Sequence, residues 1–359
     1  MKREEPGQLC RSSWDDWVRN AGVELAWLGD QPACIPRQPL PPGASYLFSP
    51  FRGWFDYLSH ELRQADQGLS AVLVDWIGRF CGLLGLRETV VLGAGPVSTN
   101  LYGPSDKDLL LESVRLASDR YPKHFLAIRN LTLQHHAEII DGLVLQGFVA
   151  LPARVIYEFE PPAQKSSRGG LDGGVERMPS HLSRDLKLLT KSGLLVTRPV
   201  TVDIHQAERL RAWYERIYLQ KHSQLNAQYT AEFFLGVINQ GLMELMVLEK
   251  QGEWLGFALI SRRGNVASVP ALGYGELCES LGGYRLIFAA IYGQTVGQGA
   301  LLNYSSGAGD FKRKRGGQPH LEYTLLRAPA ASKYRRGLLG WLADRLSRVR
   351  VDDLIRRGA

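Results

Sequence analysis

Apolar residues recur along this chain at two spacings, one with the period of a helix and one with that of a strand. Leu210, Trp213, Tyr214 and Ile217 fall at i, i+3, i+4 and i+7 and predict a helix over 206–220. The same reading predicts helices over 53–64, 107–118, 134–145, 178–191, 230–239 and 286–292, with Thr230 as N-cap of its helix. A helix over 68–84 is apolar nearly all round, the pattern of a buried core helix. Strands are predicted at 89–92, 125–128, 148–159, 194–202, 242–249, 254–262, 265–272 and 300–304, with a hairpin turn at 250–253. Strands alternating with helices of this length imply an α/β layout. Gly93-Ala94-Gly95-Pro96 follows a strand but lacks the third glycine and acidic partner of a dinucleotide loop, so it reads as a turn.

Breaks in the pattern divide the chain. Residues 1–45 read as an N-terminal extension, closed by the proline-rich stretch 36–43. The clearest interruption is the glycine- and serine-rich run 164–174, which separates an N-terminal half at 46–175 from a C-terminal half at 176–330. Residues 331–359 begin with a helix over 333–350 that sets Leu338, Leu339, Leu342 and Leu346 against Arg335, Arg336, Arg345 and Arg348. Such a basic amphipathic helix caps a domain, binds an acidic partner or touches a membrane surface, and capping is the default expectation.

Length and composition narrow the classes. At 359 residues, 45% hydrophobic and 22% charged, the chain has room for two globular domains. It holds no run of about 18 apolar residues and no signal-peptide pattern at its start, so a cytoplasmic protein is expected. Cys10, Cys34, Cys81 and Cys278 are far apart and have no histidine at ligand spacing, against a zinc site or disulfide framework. The net charge of +7 suits polyanionic ligands such as CoA phosphates, a carrier protein's phosphopantetheine arm or tRNA. No G-x-S-x-G, H-E-x-x-H or P-loop is present, which argues against hydrolase, zinc protease and kinase chemistry.

Candidate chemistry concentrates in two neighbouring stretches. Apolar 300–302 leads into Asn303-Tyr304-Ser305-Ser306, the turn Gly307-Ala308-Gly309, then Phe311 and the cationic run Lys312-Arg313-Lys314-Arg315, read as a loop. Upstream, Gly273-Tyr274-Gly275-Glu276 ends a strand, and Gly282-Gly283-Tyr284-Arg285 opens a helix. Glycines ahead of a helix leave amide N–H groups facing free space, a ready anion site.

These residues, together with Lys221-His222-Ser223-Gln224-Leu225-Asn226 and Thr230-Ala231-Glu232-Phe233-Phe234, resemble a large group of bacterial GNAT-like proteins. That group is related to the Fem-type aminoacyl ligases and the cellulose-biosynthesis-type acetyltransferases, and the similarity covers roughly 121–326. The resemblance implies a GNAT fold, often as two tandem copies, and transfer of an acyl or aminoacyl group to an amine. It implies no permanently bound cofactor and no metal, with an acyl-CoA or acyl-carrier-protein thioester as cosubstrate. The strands at 265–272 and 300–304 would then be neighbours that splay apart to admit the donor.

On that reading His222, in a polar loop, and Glu276, after the central strand, are the candidate bases. Tyr274, Gly282, Gly283, Tyr284 and Arg285 would bind the donor, as would Gly307, Gly309, Lys312, Lys314 and Arg315, with Phe311 packing beneath. Asn303 and Ser305 would orient donor or acceptor, and Lys221 and Asn226 complete the set. Three functions stay open. The first is an N-acyltransferase acting on a small-molecule amine or amino sugar; the second, a Fem-type transferase using aminoacyl-tRNA; the third, a non-catalytic GNAT-like binding module. DNA is not an expected partner.

Overall fold

The computed structural model of the chain describes residues 14–64, 66–161 and 178–346. The glycine-rich run 164–174 and the end of the C-terminal helix, Arg348 included, lie outside these residues. Among the described residues, contacts give two compact units: those within 14–154, 202–242 and 321–346 form the first, and those within 155–161, 178–201 and 243–320 the second.

In unit 1, β1 (Val23–Leu28) and β2 (Gln31–Pro36) form an antiparallel hairpin, and β2 pairs with β3 (Thr89–Leu92). The helix Asp106–Arg120 then crosses over to β4 (Phe125–Thr132), parallel to β3. Val90, Leu92, Leu110, Val114, Leu126, Ile128, Ile140 and Leu143 interlock between this sheet and its helices. Residues 1–45 are therefore more than an extension, because 23–36 supplies the first two strands of the sheet. The helix Leu133–Leu145 leads to β5 (Val149–Phe159).

Unit 2 repeats the order. β6 (Leu195–Thr197), β7 (Glu244–Lys250), β8 (Glu253–Arg263) and β9 (Val266–Tyr274) form an antiparallel run. The helix Tyr284–Gln294 crosses over to β10 (Leu301–Asn303), which is parallel to β9. An antiparallel run, a crossover helix and a parallel strand are the GNAT arrangement, and the mixed α/β chain carries it twice.

The two copies are not consecutive halves, because they exchange strands. β11 (Gln318–Arg327), from the C-terminal half, pairs antiparallel with β4 in unit 1. The end of β5, from the N-terminal half, pairs antiparallel with β10 in unit 2. Residues 202–242 also belong to unit 1, with the helices Ile204–Glu215 and Ala231–Asn239. Each has its cap: the Asp203 carboxylate accepts from the Gln206 N–H in a full capping box, and the Thr230 hydroxyl accepts from the Phe233 N–H.

Three expected elements come out differently. The helix Gly68–Leu83 is not buried: Leu69 is 91% exposed and Leu83 86%, and Trp76 and Phe80 line a groove with Tyr334, Leu338 and Trp341. The strand expected over 194–202 shrinks to β6. The cationic loop after Gly307 is instead a short helix, Gly309–Arg313.

Candidate functional site

The parallel pairing of β9 and β10 is short. Leu301, Leu302 and Asn303 face Val266, Ala267 and Ser268; β10 then stops while β9 runs on to Tyr274. Among the described residues, Val269–Tyr274 thus has no strand beside it on the β10 side, at the place where these two strands are expected to splay apart. A bulge marks the same place. Between the Ser261–Ser268 and Leu259–Ala271 pairs, β9 spends one residue more than β8, at Val269–Pro270. Pro270 has no N–H to give a ladder, so its position in a bulge costs no sheet hydrogen bond.

Register sets a polar row at the point of divergence. Asn303 pairs with Ser268 on one side and with Glu158 of β5 on the other, and facing residues of adjacent strands share one face of the sheet. Glu158, Asn303 and Ser268 are all buried. Asn303 Oδ1 accepts from the Ser305 N–H at 3.0 Å, and His320 Nε2 lies 3.6 Å from Glu158 Oε2. Among the described residues the Ser268 hydroxyl has no hydrogen-bond partner. A buried hydroxyl left unsatisfied costs stability, and such groups persist where function needs them.

The opposite face of β10 is aromatic. Phe159, Phe288 and Tyr304 meet with ring centroids 5.3–6.4 Å apart, and Tyr284 lies 4.7 Å from Phe311. Each such ring, fully buried, contributes on the order of 1.5–3 kcal/mol, so this cluster fixes the helix Tyr284–Gln294 firmly to the sheet. Burial pushes the Tyr284 phenol up to about 12, against the opposing pull of the nearby Tyr304 side chain and of Arg315. Cys278 is likewise pushed up to about 12 by burial and remains a thiol.

The basic residues after Gly307 turn inward. Lys312 is 2% exposed, and its Nζ donates to the carbonyls of Tyr304 at 2.7 Å, Ser305 at 3.1 Å and Ser306 at 2.8 Å. It also lies 4.9 Å from the Tyr304 ring centre. Ser305 (φ 57°), Gly307 (φ 79°) and Ala308 (φ 47°) are all left-handed, a strained turn that the ammonium group holds by collecting its carbonyls. With the carbonyls drawn to Lys312, the N–H groups of Ser306, Gly307 and Ala308 find no acceptor among the described residues. Successive N–H groups in such a turn form an anion-binding nest.

Arg315 stacks on Phe311, 3.4 Å from ring centre to guanidinium, and its Nε donates to Asp185 Oδ2 at 2.5 Å. Arg285 Nε takes the other oxygen of Asp185 at 2.7 Å. The Lys312, Lys314 and Arg315 cations therefore do not converge on the glycine turn as a cluster. Lys312 and Arg315 are occupied inside the protein, and Lys314 is exposed.

The start of the helix Tyr284–Gln294 offers less than its glycines suggest. The Arg285 N–H goes back to the Gly282 carbonyl, and those of Leu286 and Ile287 to that of Gly283. Gly282 (φ 125°) and Gly283 (φ 43°) serve a tight link from the preceding helix Glu276–Leu281. A Cβ on Gly283 would lie 3.1 Å from the Tyr274 ring, a tight contact that adds to the left-handed φ in favouring glycine there.

The remaining predicted residues divide by unit. Glu276 is exposed at the first position of its helix in unit 2. Lys221, His222 and Asn226 belong to unit 1. There His222 is exposed, its carbonyl 3.2 Å from His60 Nε2. Asn226 closes its own loop, donating to the carbonyls of Tyr218 and Ser223, both at 3.0 Å. Sequence reasoning missed Glu158, Ser268 and Asp185. The signal was a lone polar residue inside an otherwise apolar strand or a buried helix face, which counts for little until neighbouring strands are aligned.

No protein-family model matches the chain, and no curated protein matches it. Among solved structures it is similar to L-PGS from Bacillus licheniformis, at 12% identity over 73% of this chain and 83% of that one, with a TM-score of 0.47. It is similar to FemX at 10% identity over 66% and 79%, TM-score 0.45. A GCN5-related N-acetyltransferase from Kribbella flavida is similar at 13% identity over 87% and 92%, TM-score 0.35.

Proposed function

We propose that the chain is a GNAT-type acyltransferase that moves an acyl or aminoacyl group from a carrier to a primary amine. The observation that carries this reading is the end of β9–β10 pairing at Ser268–Asn303, beside the bulge at Val269–Pro270. A donor arm laid along Val269–Tyr274 takes the place of a missing strand and uses backbone groups that no strand satisfies. Its carbonyl then reaches the polar row.

In this scheme the amine nitrogen attacks the donor carbonyl carbon. A C–N bond forms, the C–S or C–O bond to the carrier breaks, and the amine proton passes to Glu158. We assign the base to Glu158 rather than His222 or Glu276, because Glu158 is buried at the divergence point while the other two are exposed. The Ser268 hydroxyl, with no partner among the described residues, donates to the developing oxyanion in a water-poor setting where such a bond counts most. The Ser306–Ala308 turn holds an anionic part of the carrier.

Native mass spectrometry of freshly purified protein, followed by transfer assays with acetyl-CoA, an acyl carrier protein and aminoacyl-tRNA, tests this reading. A CoA-type mass or a loaded carrier selects the thioester donor, and co-purified tRNA selects the aminoacyl donor. If no donor is retained and no amine is acylated, the reading falls and a binding module remains.

A further inference from the structure

Unit 1 holds a second constellation of buried charge that the acyl-transfer scheme does not use. Its centre is a bulge in β4. Between the Tyr323–Leu131 and Leu325–Ile128 pairs, β4 spends one residue more than β11, at Arg129–Asn130. Asn130 is left-handed (φ 64°), which is costly for a residue other than glycine and re-aims its neighbour Arg129 off the regular pleat. The strain is held in place. Asn130 Oδ1 accepts from the Asn100 backbone N–H at 3.1 Å and from its side chain at 2.8 Å, and Asn130 Nδ2 donates to Glu322 Oε1 at 3.0 Å.

The charges here do not balance. Arg154 holds Glu322 in a forked pair, Nε to Oε1 at 2.7 Å and Nη2 to Oε2 at 3.1 Å. Glu322 is 3% exposed. That pair is neutral, and Arg129, 7% exposed, adds a further positive charge. Arg129 Nη1 donates to the Leu47 carbonyl, and its guanidinium makes no other hydrogen bond and no ion pair among the described residues. Arg154 Nη1 and the Tyr46 hydroxyl likewise make no hydrogen bond among the described residues. Both arginines act electrostatically on that phenol, which burial keeps in its protonated, donating form. A buried guanidinium without a counter-charge is unstable unless an anion joins it.

We infer that Arg129, Arg154 and Tyr46 form a binding site in unit 1 for the carboxylate group of a small monoanionic ligand. Arg129, Arg154 and Glu322 together carry one positive charge, and the Glu61 carboxylate also acts on the Tyr46 phenol, so the site suits a monoanion better than a phosphate dianion. The donors are two planar guanidinium edges and one phenol, all of which suit the in-plane lone pairs of a carboxylate. Nothing in this assignment requires unit 2 to be an acyltransferase.

The test is thermal unfolding and calorimetric titration of the full chain with sodium acetate, at ionic strength matched with sodium chloride, with inorganic phosphate as a second comparison. The expected result is a saturable rise in Tm with acetate that chloride and phosphate do not reproduce. Arg129→Met should fold, because it removes the uncompensated charge, and should lose the acetate response. Tyr46→Phe should weaken acetate binding about tenfold. An equal response to all three anions would reduce the site to a general salt effect and overturn the inference, as would an acetate response that survives in Arg129→Met.

Discussion

Arg315 and Asp185 lie 130 residues apart in sequence and meet at 2.5 Å in the interior of unit 2. Asp185 is fully buried and also accepts from Arg285, whose side chain is 45% exposed. One carboxylate thus ties the helix Ser180–Lys191 to the start of the helix Tyr284–Gln294 and to the segment after Gly309–Arg313. Arg315 is a structural cation, held on two sides by Asp185 and the Phe311 ring.

The exposures of the two arginines separate their expected effects. Asp185→Asn leaves Arg315 buried without its counter-charge and should cost about 3–5 kcal/mol in urea unfolding. Arg285→Ala removes a pair with one solvent-exposed partner and should cost roughly 1 kcal/mol or less. Equal losses would show that Asp185 does not discriminate between them.

Lys312 is predicted to act on the turn rather than on a ligand directly. Lys312→Met leaves the carbonyls of Tyr304, Ser305 and Ser306 without their shared donor, and should cost about 1.5–3 kcal/mol of stability. Donor binding should fall with it, because the Ser306–Ala308 N–H groups lose their alignment. Lys314→Ala, on the surface, should change stability by no more than about 0.5 kcal/mol. Chemical denaturation and calorimetric titration of both variants read the two effects.

Glu158→Gln tests the assigned base. It preserves shape and hydrogen-bonding reach but cannot take up a proton, so kcat for acyl transfer should fall by about 10²–10⁴ with donor affinity nearly unchanged. A variant with full kcat would move the base elsewhere, with Glu276 the next to test.

The buried thiols predict an alkaline limit. Burial raises Cys34 and Cys278 to about 12 and Cys81 to about 11, each from an ordinary value of 9.0. Because the folded values lie above the unfolded ones, their contribution is fully present below about pH 9 and is lost as pH climbs toward 11–12. Unfolding midpoints in urea should therefore fall steadily above pH 9, and iodoacetamide at pH 8 should label native protein far more slowly than denatured protein.

What the sequence determined by itself was the succession of elements. The spacing of Leu210, Trp213, Tyr214 and Ile217 gave a helix, the polar gap 250–253 gave a hairpin, and the order around 265–304 gave two neighbouring strands about a crossover helix. These signals are local: period, cap and turn chemistry act within a few residues, so one stretch of chain carries the whole of each. The tertiary structure alone decided what those elements join. The row Glu158–Asn303–Ser268 exists because β5 crosses into unit 2, and the clamp at Asp185 because buried Arg315 and exposed Arg285, both far along the chain, reach the same carboxylate. A run such as Lys312 to Arg315 looks like a solvated cationic loop because nothing nearby in sequence supplies its partners. Those partners are backbone carbonyls, a ring and a distant carboxylate, and only packing brings them close enough to offset the cost of burying the charge.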